Sequence, residues 1–269
     1  MITSAQNPKL KLVRLLLGRP KERQEAGAFV AEGVRLVEEA LAADWPFRFI
    51  LHTDDLSVRG RDLVKNLTTK GVQTEEVPAR LLDTLSDTGN TQGIIAVLDH
   101  STLPIPHSLD FVLIPDQIRD PGNLGTLLRS AAAAGAQAVF LPPETTDAFA
   151  PKVVRAGMGA HFRLPIQALN WDEIRARTLR QAQGKASGLR IYLADMHGLP
   201  CWETDLRLPL ALIIGGEAEG ASAQARDLAT ASISIPMPGG SESLNASAAG
   251  AILMFEVLRQ RQKDRHYPY

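Results

Sequence analysis

Three stretches of this chain are apolar nearly from end to end: FVLIP at 111–115, QAVFL at 137–141 and LPLALIIG at 208–215. Unbroken rather than alternating hydrophobicity marks strands buried on both faces, as in a parallel sheet covered by helices on each side. LRIYLAD at 189–195, SISIP at 232–236 and residues 162–166 read as further strands. Between them lie segments with helical spacing: 122–134, closed by Gly135 as a left-handed cap, then 150–158, 171–182, 221–229 and a long final helix at 245–262. Such alternation specifies an α/β domain, and its ligands sit at the carboxyl ends of the strands.

The first hundred residues also alternate, but in shorter pieces. Residues 8–25 form a helix with Leu10, Val13, Leu16 and Leu17 on one face. Strands follow at 29–33, 47–51, 71–77 and 93–99, and helices at 34–43, 60–70 and 78–86. This is a small α/β or α+β layer domain. DHSTLPIPHSLD, at 99–110, carries Pro104 and Pro106 among small and polar residues and cannot hold a helix. The chain therefore divides into a first domain at 1–99, a linker at 100–109 and a second domain at 110–269.

Several chemistries are excluded. The single Cys201 rules out an internal disulfide and a multi-cysteine zinc site, and it fits a reducing compartment. No metal and no membrane are expected, because no apolar run approaches spanning length. The N-terminus lacks the apolar region of a secretory signal, so the cytoplasm is the expected location. Gly157-Met-Gly159 lacks the third glycine of a dinucleotide fingerprint. Gly184-Lys185 lacks the surroundings of a phosphate loop, and no G-x-S-x-G elbow is present.

Three polar segments remain, each at the end of a strand. The first, Asp116 to Ser130, reads DQIRDPGNLGTLLRS and holds Asn123 and Arg129. The second, Leu212 to Gly220, ends a strand in Gly215, Gly216 and Glu217. The third, Ile233 to Ser247, reads ISIPMPGGSESLNAS and leads into the last helix. Taken singly, each is a strand-to-helix turn: Glu217 suits a helix dipole, and Ser243 or Asn245 suits an N-cap.

Together, and in this order, N-x-G-x-x-x-R, G-x-E-x-x-G and I-P-M-x-G-x-x-S-L-N-x-S resemble the SpoU/TrmH family of RNA 2′-O-ribose methyltransferases, across about 110–262. The N-terminal part, through Ser4-x-x-Asn7-Pro8 and Gly27-x-Phe29-x-x-Glu32-Gly33-x-Arg35, resembles the ribosomal-protein-like substrate-binding domain of rRNA-directed members. The resemblance implies a C-terminal trefoil knot, which periodicity does not show. It also implies S-adenosylmethionine as cofactor and a homodimer formed through the knot region. Gly216 stands where Asn or Ala is common in the family, and Gly239-Gly240 loosens the third loop.

By the same resemblance, Gly215, Gly216, Ile235, Met237 and Leu244 face the cofactor, and Asn123, Arg129, Glu217, Ser243 and Asn245 are catalytic or RNA-facing. Large-subunit (23S) rRNA is the first substrate expected; a tRNA ribose methyltransferase and a non-catalytic RNA-binding or ribosome-assembly protein are the alternatives. Guanidinium stays protonated at ordinary pH, so a phosphate grip suits Arg129 better than a base role.

Substrate choice would fall to the first domain, where Lys9, Lys11, Arg14, Arg19, Lys21, Arg23 and Arg35 are the candidate RNA contacts. The formal charge of the whole chain is -1, which at first discourages a nucleic-acid partner. That total is a cancellation: residues 1–23 hold six basic side chains and one acidic, while residues 24–107 hold seven and thirteen. Any RNA contact is therefore local.

Overall fold

The computed structural model describes residues 1–85, 92–180, 189–217, 220–240 and 243–262, without the side chains of 179–180. Gly184, Lys185, Glu219, Ser241 and the predicted helix ends at 86 and 181–182 lie outside the described residues. The chain forms two compact units, residues 1–101 with 147–162, and residues 102–146 with 163–269. No described helix is long and apolar enough to cross a membrane.

In the first unit, two helices precede the sheet, α1 (Pro8–Leu17) and α2 (Pro20–Ala26). The single helix expected over 8–25 is broken at Arg19, which is extended with φ -84° and ψ 151°. The cause is Pro20, whose ring disfavours helical geometry in the residue before it. The sheet contains β1 (Ala28–Glu32), β2 (Phe47–His52), β3 (Thr74–Glu76) and β4 (Ile94–Asp99) in the order β1-β4-β2-β3. β4 runs antiparallel to β1 and β2, and β2 pairs parallel with β3. Its central place explains why Ile94 to Leu98 are all buried. The helices α3 (Val34–Ala42), α4 (Val58–Thr69) and α5 (Ala79–Asp83) complete the layers. Leu10, Val13 and Leu16 of α1 pack with Val30, Leu51 and Val97 of the sheet.

Residues 147–162 follow the linker in sequence, yet they pack within this first unit. They include α7 (Pro151–Gly157) and a 3-10 turn at Ala160–Phe162. The reason is aromatic: Phe149 and Phe162 lie 5.0 and 6.4 Å from Phe29, and Phe162 lies 5.2 Å from Trp45. Each buried Phe contributes roughly 1.5–3 kcal/mol. A strand expected at 162–166 therefore starts later, at Ile166, because Phe162 is already committed to this cluster.

The second unit is a six-stranded, wholly parallel sheet ordered β10-β8-β9-β5-β6-β7. Its strands are β5 (Phe111–Pro115), β6 (Ala138–Leu141), β7 (Ile166–Ala168), β8 (Arg190–Pro200), β9 (Leu210–Ile214) and β10 (Ala231–Ser234). The helices are α6 (Pro121–Ala134), α8 (Trp171–Arg180), α9 (Ala223–Leu228) and α10 (Ala246–Gln262). Gly135 closes α6 in the left-handed region, φ 79°. β5 and β9 are buried at every residue, as their unbroken apolar sequences require. β8 outruns its apolar stretch and pairs with β10 across a register shift at Ser232/Ile233. After β5 the chain moves towards β6, and after β9 it moves the opposite way. The crevice beyond β5 and β9 is thus a topological switch point, where ligands of open α/β sheets bind.

Candidate active site

The three polar segments meet at that crevice. Asn123 sits in the first turn of α6, whose Asp120 N-cap accepts from the Asn123 backbone N–H at 2.8 Å. Glu217 follows β9, and Asn245 immediately precedes α10. Asn123 donates through Nδ2 to Glu217 Oε1. Asn245 Nδ2 reaches both Asn123 Oδ1 and Glu217 Oε1, each at 3.0 Å. Ser247 Oγ adds bonds to Asn123 Oδ1 at 3.2 Å and Asn245 Oδ1 at 2.6 Å. Each side chain fixes another, so the group holds one arrangement.

Asn245 also does what an N-cap does. Its Oδ1 accepts from the backbone N–H groups of Ser247 at 3.0 Å and Ala248 at 3.2 Å. Capping and site geometry are therefore two uses of one residue.

Beside this network opens a cleft of about 550 Å³, lined by Gly215, Gly216, Ile235, Met237, Ser243 and Leu244 together with Glu217 and Asn245. Its apolar walls and backbone groups fit a flat heterocycle with a polar tail. The glycines are required by close approach. A Cβ on Gly215 would lie 2.8 Å from Ala221 N, and one on Gly216 would lie 2.6 Å from Gln117 O. Either addition would push the loop out of the cradle that it forms.

Arg129 is not part of the network. It lies six residues, about 9 Å, further along α6 than Asn123. Its side chain is exposed, and no described residue pairs with it.

Asp195 lines the cleft and Asp116 is buried at the end of β5; the sequence assigned a role to neither. Asp116, wholly buried at the end of β5, accepts from the Ser222 backbone N–H at 2.6 Å. Its other oxygen has no partner among the described residues. Burial raises its pKa, the Ser222 hydrogen bonds oppose that rise, and Glu144 adds to it. Asp195 accepts from His197 N and Arg226 Nη1, both at 3.0 Å, and the His197 bond is the chief cause of its lowered pKa. The available signal was position: an acid at the carboxyl end of an apolar run.

The basic candidates of the first unit are not all free to meet RNA. Arg23 is buried, donates to Leu16 O and Gly18 O at 2.8 Å, and pairs with Asp147 at 2.7 Å. A buried, fully engaged guanidinium cannot serve as an RNA contact, so Arg23 is a structural residue. Lys9 is held by Glu75 at 2.8 Å over the Phe49 ring. Arg14 donates to Ala5 O, and Lys21 faces Glu25 at 3.6 Å; both are exposed. Lys11, Arg19 and Arg35 are exposed as well.

A parallel α/β sheet with an apolar cleft and a tethered amide–carboxylate group at its switch point places this chain among the α/β proteins that bind a ligand at the carboxyl ends of their strands. Similarity to known proteins sharpens the class. Residues 110–255 match the SpoU rRNA Methylase family, and residues 7–96 match the MRM3-like substrate binding domain. The chain belongs to the SpoU methylase family and is a methyltransferase. It is 33% identical to the 23S rRNA (guanosine(2553)-2′-O)-methyltransferase RlmP of Bacillus subtilis, over 95% of this chain and 98% of that one. It is 30% identical to the 23S rRNA (uridine(2479)-2′-O)-methyltransferase of Streptomyces viridochromogenes, over 97% and 93%. The crystal structure of the SpoU methyltransferase AviRb from Streptomyces viridochromogenes, in complex with AdoMet, superposes with a TM-score of 0.85. That likeness covers 97% of this chain and 100% of that chain at 31% identity.

Proposed function

We propose that this protein methylates a ribose 2′-hydroxyl of 23S rRNA, using S-adenosylmethionine. The observation that carries this reading is the convergence of Asn123, Glu217 and Asn245 at the lip of an apolar cleft that the glycine loop leaves open. Bound there, the cofactor would supply an activated methyl group: its C–S bond would break as the O–C bond forms, leaving a neutral thioether, and the hydroxyl proton would pass to the Glu217 carboxylate or to water. Gly215 and Gly216 leave room for the cofactor, Ile235, Met237 and Leu244 enclose its adenine, and Ser243 lies at the mouth.

Glu217 is held through Oε1 by two amide donors, which leaves Oε2 to accept from a ribose hydroxyl. The amides keep that carboxylate aimed, and such positioning can supply a large part of the rate. Arg129, on the exposed face of α6, grips a phosphate of the target and orients its 2′-hydroxyl. Lys11, Arg14, Arg19, Lys21 and Arg35 hold the RNA on the first unit.

The protein acts as a homodimer. Leu244, Ile252 and Phe255 are exposed at and along α10, and large exposed apolar side chains at such a site support self-association. The knotted path of the C-terminal part is carried over from the family resemblance. We place the protein in the cytoplasm. The test is methyl transfer from labelled S-adenosylmethionine to a 23S rRNA transcript, followed by mapping of the ribose. Label on a base, or none on the RNA, would contradict the reading.

A further inference from the structure

A second cleft, of about 110 Å³, adjoins the first at Glu217. It is walled by Gln117, Arg119, Asp120, Asn123, Gly216 and Glu217. The two clefts share Gly216 and Glu217, so they adjoin at that carboxylate. The lining of the small cleft offers the Asp120 and Glu217 carboxylates and the Asn123 amide, and also the Arg119 guanidinium, which donates from Nη2 to Glu144 Oε2 at 3.1 Å. Gln117 Nε2 donates to the same oxygen at 3.3 Å.

Both members of the Arg119–Glu144 pair are 62% exposed, so the pair is weak. A phosphate presents two oxygens to the guanidinium fork and competes well against a single carboxylate oxygen. Hydroxyl groups, in turn, donate to carboxylates. A sugar joined to a phosphate matches both parts of that lining.

We propose that this cleft receives the sugar–phosphate of the acceptor nucleotide, with Arg119 binding one flanking phosphate. This rests on the reading of the chain as an RNA ribose methyltransferase. A ribose within RNA carries a phosphate on each side, so Arg119 and Arg129 serve different ones. Glu144 occupies Arg119 in the free protein and yields it when RNA arrives.

The test uses the full-length protein and a 23S rRNA transcript. Arg119→Ala raises the RNA KM about tenfold, with kcat within about twofold. Cofactor affinity by calorimetry stays unchanged. The log–log salt dependence of RNA binding becomes shallower by about 0.7, as expected when one phosphate is no longer neutralised. Arg119→Lys restores the slope but only part of the KM, since an ammonium lacks the fork. Glu144→Gln lowers the KM. Wild-type KM and slope in Arg119→Ala would overturn the proposal, as would weakened cofactor binding in that variant or a raised KM in Glu144→Gln. If the wild-type protein transfers no methyl group to RNA, the functional reading itself fails, before any variant is compared.

Discussion

Asn245 donates from Nδ2 to Asn123 Oδ1 at 3.0 Å, across 122 residues of sequence, and to Glu217 Oε1 at the same distance. Its Oδ1 caps α10. The two uses are separable. Asn245→Asp keeps an acceptor for the cap, loses the donor and sets a carboxylate against Glu217. We expect kcat to fall about 100-fold, because the carboxylate is no longer aimed. Asn245→Ala loses both and also costs about 1 kcal/mol of stability. Steady-state kinetics with thermal unfolding distinguish the two variants.

Arg129 stands apart from that network, and its removal should reflect this. Arg129→Ala abolishes methyl transfer and leaves cofactor affinity unchanged. Calorimetry with S-adenosylmethionine and a methyl-transfer assay check the two halves. Transfer at the wild-type rate would remove Arg129 from the mechanism.

Arg23 and its basic neighbours should behave differently. Arg23→Ala leaves Asp147 without its guanidinium partner and two carbonyls without donors, and it should cost about 3 kcal/mol in denaturant unfolding. Reversal of Lys11, Arg14 and Lys21 to Glu should leave stability nearly unchanged. It should weaken RNA binding and flatten its salt dependence by about 0.7 to 0.9 for each phosphate that is no longer neutralised. Unchanged binding after the triple reversal would mean that the first unit holds RNA elsewhere.

His161 makes the first unit acid-sensitive. Burial holds its imidazole down at about 4, against an ordinary 6.5, despite the bond between Nε2 and Ala148 O at 2.7 Å. Below pH 6.5 the unfolded chain takes up a proton that the folded chain refuses until about pH 4. Stability is therefore full above pH 6.5 and falls as pH drops through that window, by on the order of 3 kcal/mol. His100, lowered mainly by burial, adds in the same direction. Unfolding of His161→Phe, measured between pH 4 and 7, should show a flatter profile than the wild type.

The second unit was legible in sequence where both faces of a strand are buried. β5 and β9 announce themselves because no residue in them is free to be polar, and the residues just beyond each strand became the site. Asn123, Glu217 and Asn245 could be matched as motifs, but only folding shows that they bond to one another. Arg23 could not be read correctly, because its partner Asp147 lies 124 residues away. The membership of 147–162 in the first unit depends on Phe149 and Phe162 finding Phe29, which periodicity does not record. Asp116 and Ser247 stand inside the matched segments, but a short polar residue at the end of an element usually serves the backbone, so their buried bonds to Ser222 and Asn123 show only in the fold.

The most direct measurement is a map of ribose methylation across rRNA in cells with and without the gene. The expected result is a 2′-O-methyl position in 23S rRNA that disappears on deletion, returns with the wild-type chain and does not return with Arg129→Ala. An unchanged methylation pattern on deletion would contradict the assignment.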